Sequence, residues 1–327
     1  MRATLGRLAS VLRLTRVTSA VAIVGNLWFV VLWTRAHPEE PGTPEIAERS
    51  LWLLLPAAAF AGVSLFAYAA ALNDILDRKR DRSIQPGRPI AAGQIQVEQA
   101  ATVVAVTLIA AVLGSSAFGT TAVVLTLTLA AAVLFFNAIA RFIPAIGFLT
   151  LGLIYAGHML VPNYQLVFVV PLLLVMSHAL AVAAATHLIA RKVPRVTRRA
   201  ALAAIAGWVV WIALLLGLGT LRNHSSAGAW PDWIAVNAAI LPGVCVLAFV
   251  LVAFWKQRQI GGGPRAAEKI QRYGSLWLTL YGAAWLLSTG AKSGAAIMAG
   301  LALVGFMGMT TLRELYGLLE EPIGYRR

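Results

Sequence analysis

Ten apolar stretches of about 17–25 residues recur along the chain, and each is long enough to cross a bilayer as a helix. They are residues 17–34, 51–72, 99–115, 119–138, 143–161, 165–189, 200–220, 233–255, 274–290 and 294–312. None shows the alternation of apolar and polar residues that is typical of membrane β-strands. Because 59% of the residues are apolar and only 12% are charged, a soluble domain is excluded as well. The sequence predicts an all-α, polytopic transmembrane bundle.

The positive charges lie mainly in the connections between these stretches, and basic residues outnumber acidic ones by 27 to 13. Basic clusters precede the first stretch and recur at every second connection, as the positive-inside rule requires on the cytoplasmic side. This pattern predicts a cytoplasmic N-terminus and ten spans, or nine if the last two stretches form one broken helix. The rule also accounts for the net charge of +14, so nucleic acid is not an expected partner.

No linker or soluble segment interrupts the series of apolar stretches. We therefore expect residues 1–327 to form a single membrane domain in contact with membrane lipids. The high content of Ala, Gly and Arg favours the inner (cell) membrane of a bacterium.

An acidic motif follows the second apolar stretch, in the segment NDILDRKRDRSIQPGRPIAAG at residues 73–93. Asn73, Asp77 and Asp81 are spaced i, i+4, i+8, and Asp74 precedes Asp77 by three residues, so all four share one helical face. Carboxylate and amide oxygens at the mouth of a bundle suit Mg²⁺, which is often shared with substrate phosphates. The alternative is a solvated helix end whose mixed charges pair with one another.

The same segment resembles the UbiA superfamily of intramembrane prenyltransferases. That family carries an NDxxDxxxD motif after its second helix and then an R-P-x-x-x-G segment, matched here by Arg88, Pro89 and Gly93. The resemblance implies a UbiA-like helical bundle in which Asn73, Asp74, Asp77 and Asp81 bind Mg²⁺ that holds a prenyl diphosphate. Arg80, Arg82 and Arg88 stand close to the motif and are candidates for contacting the phosphate oxygens.

A second patch, FNAIARFIPAIG at residues 136–147, resembles a family segment with an aromatic-Asn pair, a basic residue, Pro and Gly. Asn137 and Arg141 occupy those places, which makes both candidates for substrate binding. Without the resemblance, Arg141 would be interpreted as a charge that sets topology or reaches towards the interface.

The family's second Asp-rich motif is missing. Its place reads ATHLIARKVPRVTRRA at residues 185–200, and Glu98 is the only acidic residue between Arg82 and Pro231. Two interpretations remain open. Either His187, Arg191 and Lys192 contact the diphosphate directly, or the segment is a basic cytoplasmic loop and the protein no longer performs the transfer.

The resemblance implies Mg²⁺-dependent transfer of a prenyl group from a prenyl diphosphate to an unknown acceptor, either a lipid or an aromatic compound. Asp74, Asp77 and Asp81 are the expected catalytic metal ligands, and no residue stands out as a base that deprotonates the acceptor. Without an acceptor, the same site would support cyclisation or hydrolysis. The rival hypothesis is a non-catalytic UbiA-like protein that binds or transports an isoprenoid or another lipid. His158 and His178 lie within apolar stretches, where a histidine is either functional or bonded to a neighbouring helix.

Overall fold

The computed structural model describes residues 10–16, 20–223 and 228–320, with side chains up to residue 311. Within those ranges the chain is about 80% helical and contains no strand. The predicted all-α fold class is therefore confirmed. Arg2 and Arg7, which precede the first apolar stretch, and Arg326 and Arg327 at the C-terminus lie outside the described residues.

Eleven α-helices, here numbered in chain order, follow a short helical segment at residues 10–15 in the described part of the chain. They are α1 Val21–Ala36, α2 Pro44–Glu48, α3 Leu51–Ile84, α4 Val97–Ser115, α5 Thr120–Ala138, α6 Pro144–Leu160, α7 Val170–Ile189, α8 Arg198–Arg222, α9 Ile240–Ile260, α10 Pro264–Ser288 and α11 Lys292–Glu320. Short 3-10 turns precede α5, α6 and α9.

Each predicted apolar stretch corresponds to one of these helices. Among the described residues, seven helices are long and apolar enough to cross a membrane, and the shorter α1 and α6 are also apolar. The chain turns at Gly290, whose φ of 84° is a conformation that glycine adopts without strain. After this turn, α11 packs back along α10. This hairpin is consistent with two separate passes at the end of the chain, and the number of spans stays a prediction of nine to ten.

The longest membrane helix, α3, has 34 residues and therefore extends for about 51 Å. A bilayer's apolar core is only about 30 Å thick, so the helix is longer than its apolar part needs to be. Its first two thirds pack among α1, α4 and α5. The remaining turns carry the acidic motif beyond the apolar section, at one end of the bundle.

Small residues let the central helices approach each other closely. A Cβ at Gly114 of α4 would lie 2.7 Å from the backbone nitrogen of Ala61 in α3. A Cβ at Gly25 of α1 would lie 2.5 Å from the hydroxyl of Thr279 in α10. Larger side chains at these two positions would push the helices apart, which is why membrane bundles favour small residues there.

The buried carboxylate of Glu40 fixes the loop after α1 in place. This loop is not part of the acidic motif. Its oxygens accept hydrogen bonds from the backbone N–H groups of Val167 and Phe168 and from the indole N–H of Trp33. Burial raises the pKa of Glu40 above its ordinary value, although these bonds and Arg222 act in the opposite direction. The carboxylate thereby ties the loop after α1 to the segment that precedes α7.

Candidate functional site

The acidic motif lies on the side of α3 that faces the bundle. Asp74, Asp77 and Asp81 are buried, with 2%, 8% and 5% of their surface exposed, whereas the intervening residues 78–80 are mostly exposed. The spacings of three and four residues produce this arrangement, because each returns the next carboxylate to the same face after about one turn. Buried carboxylates need cationic partners, and the structure supplies arginines from three other segments.

Arg141 reaches the motif from the 3-10 turn between α5 and α6. Its two terminal nitrogens donate to the two carboxylate oxygens of Asp77 at 2.6 and 2.8 Å, and Nη1 also donates to the amide oxygen of Asn73 at 2.5 Å. The remaining donor, Nε, is buried and has no hydrogen-bond partner. The guanidinium is thus held rigidly against the motif by three hydrogen bonds.

Arg88 lies at the centre of the motif. Its Nη1 is 2.8 Å from Asp81, 3.1 Å from Asp74 and 4.0 Å from Asp77, so oxygens of all three carboxylates surround one cationic nitrogen. The helix ends at Ile84, and a turn that contains Pro86 and Gly87 brings Arg88 back over the last turns of the helix.

Arg16 was not among the residues expected at the site. Its Nη2 lies 2.6 Å from Asp74, which places an arginine from before the first membrane helix in the motif. In the sequence it belongs to a basic cluster that the positive-inside rule already explains. Nothing in its spacing distinguishes it from the other arginines there.

The convergence of the three carboxylates on Arg88 also tests the fit of the motif to Mg²⁺. A guanidinium nitrogen already occupies the position where a cation would be attracted, so the motif is built around a positive charge. Within the described residues, however, no three acidic or histidine side chains stand as close together as the direct ligands of one metal. Mg²⁺ commonly keeps several waters and uses one or two carboxylates together with substrate phosphates, and the motif fits that mode of binding.

A cavity of about 340 Å³, here called the outer cavity, opens beside the motif between α3, α6 and α7. Its charged lining residues are Asp77, Arg80, Asp81, Arg88, Arg141 and Lys192. Four cations thus face two carboxylates, which leaves the outer cavity with a net positive charge. Partial burial, with repulsion from Arg80, lowers the pKa of Lys192 below its ordinary value.

His187 also lines the outer cavity, where its Nε2 lies 2.9 Å from the carbonyl oxygen of Pro194. An N–H at that nitrogen would bond the loop that carries Lys192 back onto α7. Arg191 and Lys192 are both exposed, but Arg191 is not among the residues that line the outer cavity. Its backbone turns at a φ of 50°, and the neighbouring Lys192 is the residue that reaches the cavity.

A second cavity of about 200 Å³, here called the inner cavity, adjoins the outer one. Phe136 and Leu151 line both cavities and therefore form the boundary between them. The walls of the inner cavity are mainly apolar, and its polar lining residues are Arg16, Asn73, Asn137, Tyr155 and His158. Asn73 and Asn137 thus lie at the inner cavity, whereas Asp74 faces a shallow cleft with Arg16 and Arg88.

The two cavities follow one another along the helices. On α3 the inner cavity contacts residues 65–73 and the outer cavity residues 77–84. On α6 the outer cavity contacts Gly147, and the inner cavity extends to His158, 11 residues later, or about 16 Å along the axis. The charged outer cavity at the end of the bundle thus leads into the apolar inner cavity within it.

No family model matches the chain, and no curated protein matches it. Solved structures do resemble it. A structure described as digeranylgeranylglyceryl phosphate synthase in membranes aligns with a TM-score of 0.52 and 16% identity, over 86% of this chain and 98% of that one. A UbiA homologue from Archaeoglobus fulgidus, bound to DMAPP and Mg²⁺, aligns with a TM-score of 0.52 and 14% identity, over 86% of this chain and 99% of that one.

A further UbiA homologue, from Aeropyrum pernix K1 and without ligand, has a TM-score of 0.50 and 16% identity, over 80% of this chain and 96% of that one. At such identities the likeness establishes the fold. The resemblance that the acidic motif indicated is therefore confirmed at the level of the fold, which is that of the UbiA homologues.

Proposed function

We propose that this chain, which has the fold of the UbiA homologues, binds a prenyl diphosphate and transfers its prenyl group to an acceptor within the membrane. The observation that carries the proposal is the order of the two cavities along α3 and α6. A prenyl diphosphate has a highly anionic head and an apolar chain, which match the outer and the inner cavity in that order. The A. fulgidus homologue bound to DMAPP and Mg²⁺ supports the same substrate class.

The outer cavity would hold the diphosphate through its fixed positive charges. Arg141 lines the outer cavity and is already oriented by Asp77 and Asn73, so its positive charge acts on a ligand there without reorganisation. Lys192 contributes a point charge from the loop after α7, and Arg88 another from the turn after α3. These cations stabilise the negative charge that accumulates on the departing diphosphate as its bond to the prenyl carbon breaks.

Mg²⁺ fits this site when Asp74, Asp77 and Asp81, assisted by Asn73, hold it through direct or water-mediated contacts. Bound there, it would supply additional positive charge to the diphosphate oxygens. The apolar inner cavity would hold the isoprenoid chain and keep water away from an allylic cation. The acceptor is a lipid or an aromatic compound that reaches the boundary between the two cavities.

Residues 1–327 are proposed to act as one domain in a bacterial inner membrane, with the N-terminus in the cytoplasm. The rival function, binding or transport of an isoprenoid without transfer, is favoured by one observation: residues 185–200 contain no acidic residue. In that case the donor would bind and be recovered unchanged.

The test is binding of labelled prenyl diphosphates to the purified full-length protein, followed by a search for released pyrophosphate when acceptors are added. Arg141→Gln should abolish or strongly weaken binding of both the donor and inorganic pyrophosphate. Arg258→Gln, which removes an exposed positive charge from α9, should leave both unchanged. If folded wild-type protein binds no donor of any chain length, the proposed function is wrong. If it binds a donor but releases no pyrophosphate with any acceptor, the rival function of binding or transport without transfer is supported.

A further inference from the structure

Arg88 and Arg141 hold the carboxylates of the motif in different ways. Arg141 forms a fork with Asp77 alone. Arg88 places one nitrogen, Nη1, within 4.0 Å of oxygens from all three carboxylates, and the shortest of these distances is 2.8 Å to Asp81. Three converging negative groups attract a divalent cation to that same position, so Arg88 and Mg²⁺ compete for it.

The arginines that contact the motif balance its charge. The three carboxylates are paired with Arg16, Arg88 and Arg141, one positive charge for each negative one. Arg80 and Lys192 add further positive charge from the lining of the outer cavity. A divalent cation that entered by itself would leave the site with surplus positive charge, and water screens such charge poorly where the carboxylates are buried.

Arg88 is central to the motif but is not locked in place. It lies beyond the end of α3, in the turn that contains Pro86 and Gly87, so its movement breaks no helix. Its Nε donates to the side-chain oxygen of Gln85 in the same turn at 2.6 Å. The side chain is 21% exposed and lines both the outer cavity and the shallow cleft. A change of side-chain conformation would therefore carry its charge from the carboxylates to an anion in the outer cavity.

We propose that Arg88 makes metal binding conditional on the diphosphate. It keeps the three carboxylates from taking a divalent cation alone, and it yields that place when the cation arrives together with a diphosphate. The inference rests on the proposed function, from which it takes the identity of the anion. A diphosphate in the outer cavity gives Arg88 a new anionic partner and cancels the surplus charge. Without a diphosphate, the displaced guanidinium would exchange its hydrogen bonds to two buried carboxylates for water alone.

This arrangement couples the two ligands thermodynamically. If the diphosphate raises the affinity for the cation, the cation raises the affinity for the diphosphate by the same factor. That factor should be roughly 5 to 150, the usual range for such coupling. Removal of the positive charge of Arg88 should raise the affinity for the cation alone by a factor of the same order, because the carboxylates then lose their competing partner.

The experiment measures metal binding to the purified full-length protein by equilibrium dialysis, after removal of divalent cations with EDTA. Mn²⁺ is the probe, because it takes the same oxygen ligands as Mg²⁺. The wild type should bind Mn²⁺ weakly by itself and roughly 5 to 150 times more tightly when inorganic pyrophosphate is present. Arg88→Gln should bind Mn²⁺ alone more tightly than the wild type, and Mn²⁺ should raise the melting temperature of this variant. Arg88→Lys, which keeps a positive charge on the turn, should stay close to the wild type.

Arg16→Gln is the matched control. It removes an arginine from Asp74 but leaves Arg88 among the carboxylates, so its affinity for Mn²⁺ alone should rise much less than that of Arg88→Gln. The inference is overturned if wild-type protein that binds pyrophosphate takes up Mn²⁺ equally well with and without it, a result that does not depend on the folding of any variant. It is also overturned if Arg88→Gln binds Mn²⁺ no more tightly than Arg16→Gln.

Failure of the proposed function looks different. In that case neither pyrophosphate nor a prenyl diphosphate binds the wild type, whereas Arg88→Gln still gains affinity for Mn²⁺ alone.

Discussion

Arg141 holds Asp77 through two parallel hydrogen bonds, from Nη2 to one carboxylate oxygen at 2.6 Å and from Nη1 to the other at 2.8 Å. Both side chains are mostly buried, at 15% and 11% exposed. In such a fork the carboxylate fixes the plane of the guanidinium and its position beside the outer cavity. The aspartate thus acts on a ligand partly through the arginine that it orients.

This pairing predicts strong coupling between the two residues. Arg141→Gln leaves Asp77 as a buried charge without its main partner, so we expect the free energy of unfolding to fall by about 3–5 kcal/mol. Asp77→Asn should have an effect of similar size. The double variant should be less destabilised than the sum of the single ones, because it leaves no unpaired charge. Thermal unfolding of the four proteins in one detergent measures this cycle, and strictly additive effects would contradict it.

Metal dependence gives a second prediction. Mg²⁺ should increase the affinity of the wild type for a prenyl diphosphate, because it adds positive charge where carboxylates and diphosphate meet. Asp81→Asn should lose most of that increase, whereas Glu268→Gln, which removes an exposed carboxylate from α10, should retain it. The measurement is a titration of Mg²⁺ after removal of divalent cations with EDTA. An unchanged response in Asp81→Asn would rule this carboxylate out as a metal ligand.

The affinity for diphosphate should depend on pH through the charge of Lys192. Because partial burial and Arg80 lower its pKa, Lys192 loses its charge at a lower pH than a free lysine does. As the pH is raised over the alkaline range, affinity for pyrophosphate should therefore begin to decline before a free lysine would lose its charge. Lys192→Arg should remove most of this decline, since arginine stays protonated over the whole range. A decline of the same size in Lys192→Arg would assign it to another group.

The free energy of unfolding should depend on pH through the protonation of Glu40. Its pKa is raised in the folded protein, chiefly by burial, so above the ordinary glutamate pKa of 4.5 the folded state retains a proton that the unfolded state has lost. Stability should then fall as the pH rises from 4.5 to the raised pKa, and level off above it. Glu40→Gln should lack this component. The check is the difference in melting temperature between the two proteins across that range, and a constant difference would contradict it.

The sequence was sufficient for the parts of the site that depend on local geometry. Asp74, Asp77 and Asp81 share a face because helical spacing alone determines it, and the structure places Arg88 and Arg141 against them. Apolar stretches of membrane length were equally predictable, since the bilayer fixes the length that they must have.

Features that depend on which helices are neighbours were not predictable. Arg16 contacts Asp74 across 58 positions of sequence, and no spacing rule connects them. Likewise His158 and His178 looked equivalent in the sequence, but only His178 has partners at both ring nitrogens, because pairing depends on the helix that packs against an imidazole. Arg191 and Lys192 are adjacent, and nothing in the sequence shows that Lys192 lines the outer cavity and Arg191 does not.

The charged outer cavity and the apolar inner cavity follow one another along the helices. This order sets the orientation in which a prenyl diphosphate would enter the protein. A lipid in the adjacent leaflet already lies with its head at the membrane surface and its chain towards the midplane. A prenyl diphosphate in that leaflet would match the two cavities in its existing orientation and would not have to turn over to bind. A lipid of the opposite leaflet would have to be inverted first. The protein would thereby draw on a single leaflet's pool of prenyl diphosphates, and its supply would depend on the side of the membrane where they are made.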